Sequence, residues 1–213
     1  MISRFKFPLP PPSLLPSLLA GLFAAMAHGE MTVSGNATKP GDVRFEFDAT
    51  EDTGNITIFH RGTGAFRQAG QAFTVAVPKF SLHAVSFKVW EAAPETRGKR
   101  CSLKLYRIAS PSVAPDPVHD LLFSESGFLP TEVDPQHYLT FQLETPCTLE
   151  EGASYLLLLG FEEPTSSDNQ AKSLGLERTN GNAQFGRLWI YNGESFASDR
   201  KTLLFSLHGT DAP

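Results

Sequence analysis

The chain has 213 residues, of which 41% are apolar and 19% charged, enough for one medium domain and too apolar for disorder over most of its length. A formal net charge of −5 argues against nucleic acid and anionic membrane as partners. With 17 Phe, 17 Gly and 16 Pro, aromatic residues and turn-formers dominate, which favours strands over helices.

The N-terminus carries the three parts of a secretory signal. Arg4 and Lys6 form a basic start, Leu14 to Ala25 an apolar core, and Ala25-Met26-Ala27 a small-x-small cleavage site before His28. The apolar run is short, and Pro8 to Pro12 and Pro16 interrupt it, so a removed signal (residues 1–27) is expected rather than a membrane anchor. Removal deletes Arg4 and Lys6 and no acid, taking the net charge from −5 to −7. The mature chain is then secreted, extracellular or periplasmic, and no later segment is apolar enough to span a bilayer.

Residues 28–42 are polar and turn-rich and read as a lead-in; residues 43–210 read as one β domain. Val43 to Asp48 and Asn55 to His60 alternate like strands, and Asp52-Thr-Gly-Asn55 between them suggests a hairpin. Strands follow at Ala72 to Val77, Leu82 to Trp90, Ser102 to Ile108 and Leu121 to Glu125, with a Pro-rich loop from Ser110 to Pro117. From His137 the chain alternates, with Leu139, Phe141 and Leu143 on one face, whereas Tyr155 to Leu159 is apolar on both. One half-exposed strand followed by one buried strand is the pattern of packed sheets. Lys172 to Arg178, Arg187 to Tyr191 and Leu203 to His208 complete the set, and Asn192-Gly193 predicts a type I′ hairpin leading into Ser195-Phe196. The fold expected is all-β: a two-layer antiparallel β-sandwich, jelly-roll-like.

Cys101 and Cys147 are the chain's two cysteines, and export favours a disulfide between them, worth about 4 kcal/mol on the chain-entropy model. The other reading is two thiols acting as small hydrophobes.

Gln71-Ala-Phe-Thr74, Leu82-His-Ala-Val-Ser-Phe-Lys-Val89, Ser102-Leu-Lys-Leu-Tyr106, Tyr138-Leu-Thr-Phe141, Leu149-Glu-Glu-Gly-Ala-Ser-Tyr155 and Leu204-Phe-Ser-Leu-His-Gly209 come in the order seen in bacterial extracellular modules of the carbohydrate-binding-module-like kind. The chain resembles these over about two thirds of its length. The resemblance implies a jelly-roll-like sandwich in an extracellular setting, and carries over no binding residue.

Strand pleating places Trp90 beside Lys88, Trp189 and Tyr191 beside Arg187, Tyr106 beside Lys104, and Tyr138 beside Gln142, all on faces otherwise polar. Aromatic area with a few polar groups is what a sugar ring requires. The ligand-binding candidates are therefore Trp90, Trp189, Tyr191, Tyr138 and Tyr106, with Lys88, Gln142 and Arg187 as polar partners. Such aromatics also suit half-buried packing.

The reading is a non-catalytic module binding a glycan or cell-surface polymer. The alternative is a structural module that contacts other surface proteins, and a glycan-active enzyme comes third. The acids are scattered, no nucleophile motif is present, and the histidines lack metal-ligand spacing, so no catalytic residue, cofactor or transition metal is expected. A structural calcium is compatible with the loop oxygens of Asp168-Asn169 and Asp199.

Overall fold

The computed structural model describes residues 29–47, 54–166, 173–179 and 186–212. Residues 1–28, which include the predicted signal, residues 48–53 and Asp168-Asn169 lie outside that set.

The described residues form antiparallel strands and no α-helix; the single helical turn is 3₁₀, at Pro94–Thr96. One wall runs in the order β1 (Thr32–Asn36), β8 (Tyr138–Leu149), β5 (Phe80–Ala92), β14 (Phe205–Asp211) and β2 (Val43–Phe47). The opposite wall is β12 (Phe196–Asp199), β11 (Arg187–Tyr191), β4 (Phe66–Thr74), β9 (Ser154–Phe161), β6 (Arg100–Ile108) and β7 (Leu121–Phe128). Two strands, β10 (Leu174–Thr179) and β3 (Asn55–His60), carry the ladder from β5 round to β4, and a short β13 (Thr202–Leu203) adds to β10. On the far side a parallel bridge from Glu30 to Ser126 brings the chain before β1 against β7, so the sheet curls until nearly closed.

The interior is filled with side chains. Phe73 sits among Phe45, Phe205 and Tyr155 at ring separations of 5.7 to 6.0 Å, and Phe87 meets Phe141 edge-on at 5.9 Å. Each buried large apolar side chain contributes about 1.5–3 kcal/mol, and rings of this kind add specific edge and offset contacts. The alternation of β8 sends Leu139, Phe141 and Leu143 into this core, as expected. Every residue of β9 is buried. The two strands are not partners: β8 pairs with β1 and β5, β9 with β4 and β6, so the link between them crosses from wall to wall.

Four expectations need correction. The strands at Val43–Phe47 and Asn55–His60 do not form a hairpin; β2 joins β14 whereas β3 joins β10 and β4. The lead-in is not loose, since its residues 32–36 form β1 on the edge of β8. The Tyr191–Phe196 hairpin exists, but Asn192 is not in the left-handed region a type I′ turn demands. Its Oδ1 instead accepts from the Glu194 and Ser195 amides, so the loop spans four residues. Finally, Cys101 and Cys147 are free thiols, carried by β6 and β8, which are not neighbours in the sheet. Export favours a bond that this topology does not bring about. The Cys101 thiol donates weakly to the Gly127 carbonyl at 3.5 Å, and burial pushes its pKa up to about 12, so it packs as a hydrophobe.

Candidate functional site

The eight ligand-binding candidates fall on two different outer faces. Tyr106, Trp189, Tyr191 and Arg187 lie on the β11–β4–β9–β6 wall, where Tyr106 and Trp189 are only 3% and 4% exposed. They pack with Ile108, Leu156, Leu158 and Ala72 as a second apolar cluster under Phe196 of β12. Phe196 stacks on Tyr191 at 4.5 Å and meets Trp189 and Tyr106 edge-on. The Trp189 indole donates to the Pro111 carbonyl at 3.0 Å, so the Pro-rich loop seals that side. Burial pushes the Tyr106 hydroxyl up to about 12. Pleating places these rings correctly on the outer face. It does not reveal that β12 and the Pro-rich loop cover that face, leaving Tyr106 and Trp189 almost no area for a ligand.

Trp90, Lys88, Tyr138 and Gln142 lie on the outer face of the β8–β5 wall and are not all free either. Lys88 pairs with the buried Glu177 carboxylate at 2.8 Å, Lys39 sits 5.6 Å over the Tyr138 ring, and the Gln142 amide donates to the His83 carbonyl. Trp90 keeps partial exposure.

The same face holds a polar chain that no sequence spacing announces. Ser86 Oγ lies 2.8 Å from Thr140 Oγ1 and 2.9 Å from His208 Nε2, and His208 Nδ1 lies 3.3 Å from Asp42 Oδ1. The last contact has ion-pair distance without hydrogen-bond alignment, so it is electrostatic. Asp42 also pairs with His83 at 2.9 Å. Sequence gives no hint because the members are brought together only by register: Ser86 is opposite Thr140, and His208 opposite Ala84. The segment 37–42, joining β1 at one edge of this wall to β2 at the other, passes over them as a strap, held by the Lys39–Glu46 ion pair.

Nucleophile, base and orienting acid are connected here in the order of a hydrolytic triad. Yet Ser86 and His208 are both wholly buried, and a second hydroxyl, that of Thr140, also occupies Ser86. No reacting carbon reaches the oxygen. The chain is a buried polar network in which Ser86 bonds to Thr140 and to His208 Nε2, while His208 Nδ1 has only the charge of Asp42 beside it.

That network makes a pH prediction. Burial lowers the His208 pKa below its ordinary 6.5, only partly opposed by the Asp42 carboxylate; His83 and Lys39 push the same way as burial. The unfolded imidazole protonates near 6.5 while the folded one resists. The stability contribution is therefore present above about 6.5 and lost as pH falls below it, by up to about 1.4 kcal/mol per unit. Urea unfolding at pH 7.5 and pH 5.5 should show the loss, and His208→Gln should flatten it. An equal slope in His208→Gln would rule the histidine out.

The remaining feature is the seam where the sheet fails to close fully. Ser126 exchanges backbone bonds with Gly29 and Met31, so its N–H and C=O point away from β6. By alternation those of Ser124 do too, and among the described residues they meet no backbone partner. On the facing strand, Leu143 to Pro146 bulges out of the β5 ladder, which resumes at Cys147. Glu125 bridges the gap: its carboxylate accepts from the Glu144 amide at 2.8 Å and the Thr145 amide at 3.2 Å, a side chain standing in for strand pairing. Glu144 in turn accepts from the Glu30 amide at 2.8 Å. Beside Glu125 lies a groove of about 280 Å³ walled by Leu122, Phe123, Thr145, Pro146 and Cys147. A separate, larger and more open hollow of about 490 Å³ is lined by Glu30, Glu144 and Phe128. Leu122 and Phe128 are 44% and 50% exposed, both on β7.

Local alternation predicts a strand at Leu121 to Glu125 but does not reveal that it is an edge. The signal available was the presence of Leu122, Glu125 and Phe128 together in one short strand.

No protein-family model matches the chain, and neither does any curated protein. No described helix is long and apolar enough to cross a membrane.

Proposed function

We propose that this chain is a non-catalytic binding module that takes an extended strand of a basic partner protein into the seam between β7 and β8. One observation carries the reading: the outward backbone of Ser124 on β7 has no backbone partner among the described residues and lies next to a groove lined by the exposed Leu122 and by Glu125. An open edge offers backbone donors and acceptors to an incoming strand, and alternate side chains of that strand enter the groove. Glu125, Glu144 and Glu30 favour positively charged residues on it. The signal-like N-terminus supports a setting outside the cytoplasm. The two facing walls support a jelly-roll-like sandwich as the underlying topology.

Carbohydrate binding by the predicted aromatics has less support, because Tyr106 and Trp189 are covered and the remaining candidates are divided between two walls.

The test uses the edge itself. Synthetic peptides of alternating Lys and Val are expected to bind the full chain, and peptides of alternating Asp and Val are not. Ser124→Pro removes the outward amide without touching the β6 ladder, as proline is tolerated on sheet edges. It should weaken binding at least tenfold while the unfolding curve is retained. Failure of the Lys-Val peptides to bind, or unchanged affinity in a folded Ser124→Pro, would overturn the reading.

A further inference from the structure

An acidic protein with a basic aromatic patch is a contrast that invites explanation. On β3, strand alternation sends Ile58 into the core and puts Thr57 and Phe59 on the outer face. Arg61 follows two residues later, and Arg67 of β4 is directly opposite Phe59 in register. Both guanidinium groups stack on the same ring, with their carbons 5.0 and 5.2 Å from its centroid. Arg67 also donates to Thr57 Oγ1 at 3.2 Å.

Two like charges are thus held within about 10 Å of one another, and they repel unless something negative lies between or above them. Among the described residues neither arginine pairs with a carboxylate. The Arg61 Nε is moreover buried and has no acceptor. A buried donor left unpaired costs about 1–3 kcal/mol, so this nitrogen is an independent sign that an acceptor belongs there.

The surroundings describe the shape of the acceptor. Gly175 of β10 is in register between Thr57 of β3 and Glu91 of β5, next to Trp90. The Glu91 side chain leans over it, its Cγ 3.0 Å from where a Cβ would stand, so the strip from Trp90 to Phe59 carries one carboxylate able to accept from hydroxyls. A flat ring with an oxyanion fits this surface: its C–H face against an aromatic, its charge against the planar guanidinium pair.

We infer that the outer face of β5–β10–β3–β4 binds an anionic saccharide, with Arg61 and Arg67 holding a carboxylate or sulfate group and Trp90 contacting the ring. The site is separate from the seam and does not depend on it.

The full chain should be titrated with dextran sulfate, polygalacturonate, neutral dextran and inorganic sulfate. The two charged polymers distinguish sulfate from carboxylate, and binding to either supports the inference, with affinity falling as salt rises. Arg61→Gln with Arg67→Gln should weaken that binding at least tenfold while leaving the unfolding curve in place. Arg67→Lys, which keeps charge but not the planar fork, should restore it only in part. Three results would overturn the inference: no charged polymer binds, neutral dextran binds equally well, or the folded double variant keeps its affinity. Inorganic sulfate binding as tightly per site as the polymers would overturn the saccharide assignment.

Discussion

Gly70→Ala is expected to abolish the native fold. Gly70 lies in the middle of β4, between Leu158 of β9 and Trp189 of β11. A methyl group there would lie 1.8 Å from the Leu157 carbonyl oxygen and 2.8 Å from both the Leu157 carbonyl carbon and the Leu158 Cα. All three are backbone atoms in the best-buried strand of the protein, so no side chain can swing aside. The β4–β9 ladder must part, and with it the wall that supports the second apolar cluster. A cost above about 4 kcal/mol follows, in the exceptional range for one substitution and comparable with the whole stability of many domains. Urea unfolding followed by circular dichroism reads it directly, and loss of a cooperative transition is the expected outcome. Gly41→Ala is the control. Nothing lies within 4 Å of the methyl group it would gain, so it should change stability by less than about 0.5 kcal/mol. A cooperative Gly70→Ala protein of near-normal stability would mean that β4 and β9 are not packed as described.

What could be read from the residues and what could not divide along a physical line. The faces of β5, β8 and β11 were legible because pleating is local: residue i and residue i+2 share a side whatever the strand pairs with. The wholly buried β9 was legible because five apolar residues in a row leave no polar face. Pairing was not legible. β2 and β3 are adjacent in sequence and carry turn residues between them, yet each finds a better partner far along the chain. The free cysteines follow from the same limit, since compartment chemistry speaks to whether a bond would persist and topology decides whether the sulfurs meet. The Ser86–His208–Asp42 chain and the Glu125 bridge join segments far apart in sequence, so no spacing marks them, and the Arg61–Phe59–Arg67 stack depends on the β3–β4 register.

Trp189→Ala separates the two meanings an aromatic residue can have on an outer face. If Trp189 served mainly as a ligand platform, truncation would leave the fold intact and remove a binding surface. The structure gives it a different role. The indole is 4% exposed, meets Phe196 at 6.2 Å and bonds to the Pro111 carbonyl. It ties three elements together: β11, the β12 arm of the hairpin and the Pro-rich loop before β7. Removal leaves a large cavity next to Leu156 and Leu158 and an unpaired carbonyl at its rim. Substitutions of this type cost about 3–5 kcal/mol. The expected result is a strongly lowered urea midpoint. Trp90→Ala, at a partly exposed position on the other wall, should cost much less and instead reduce binding of the anionic polymers. Equal destabilisation by the two substitutions would contradict this division. So would a Trp189→Ala protein of unchanged stability, because β12 and the Pro-rich loop would then be resting on the sheet without depending on the ring beneath them.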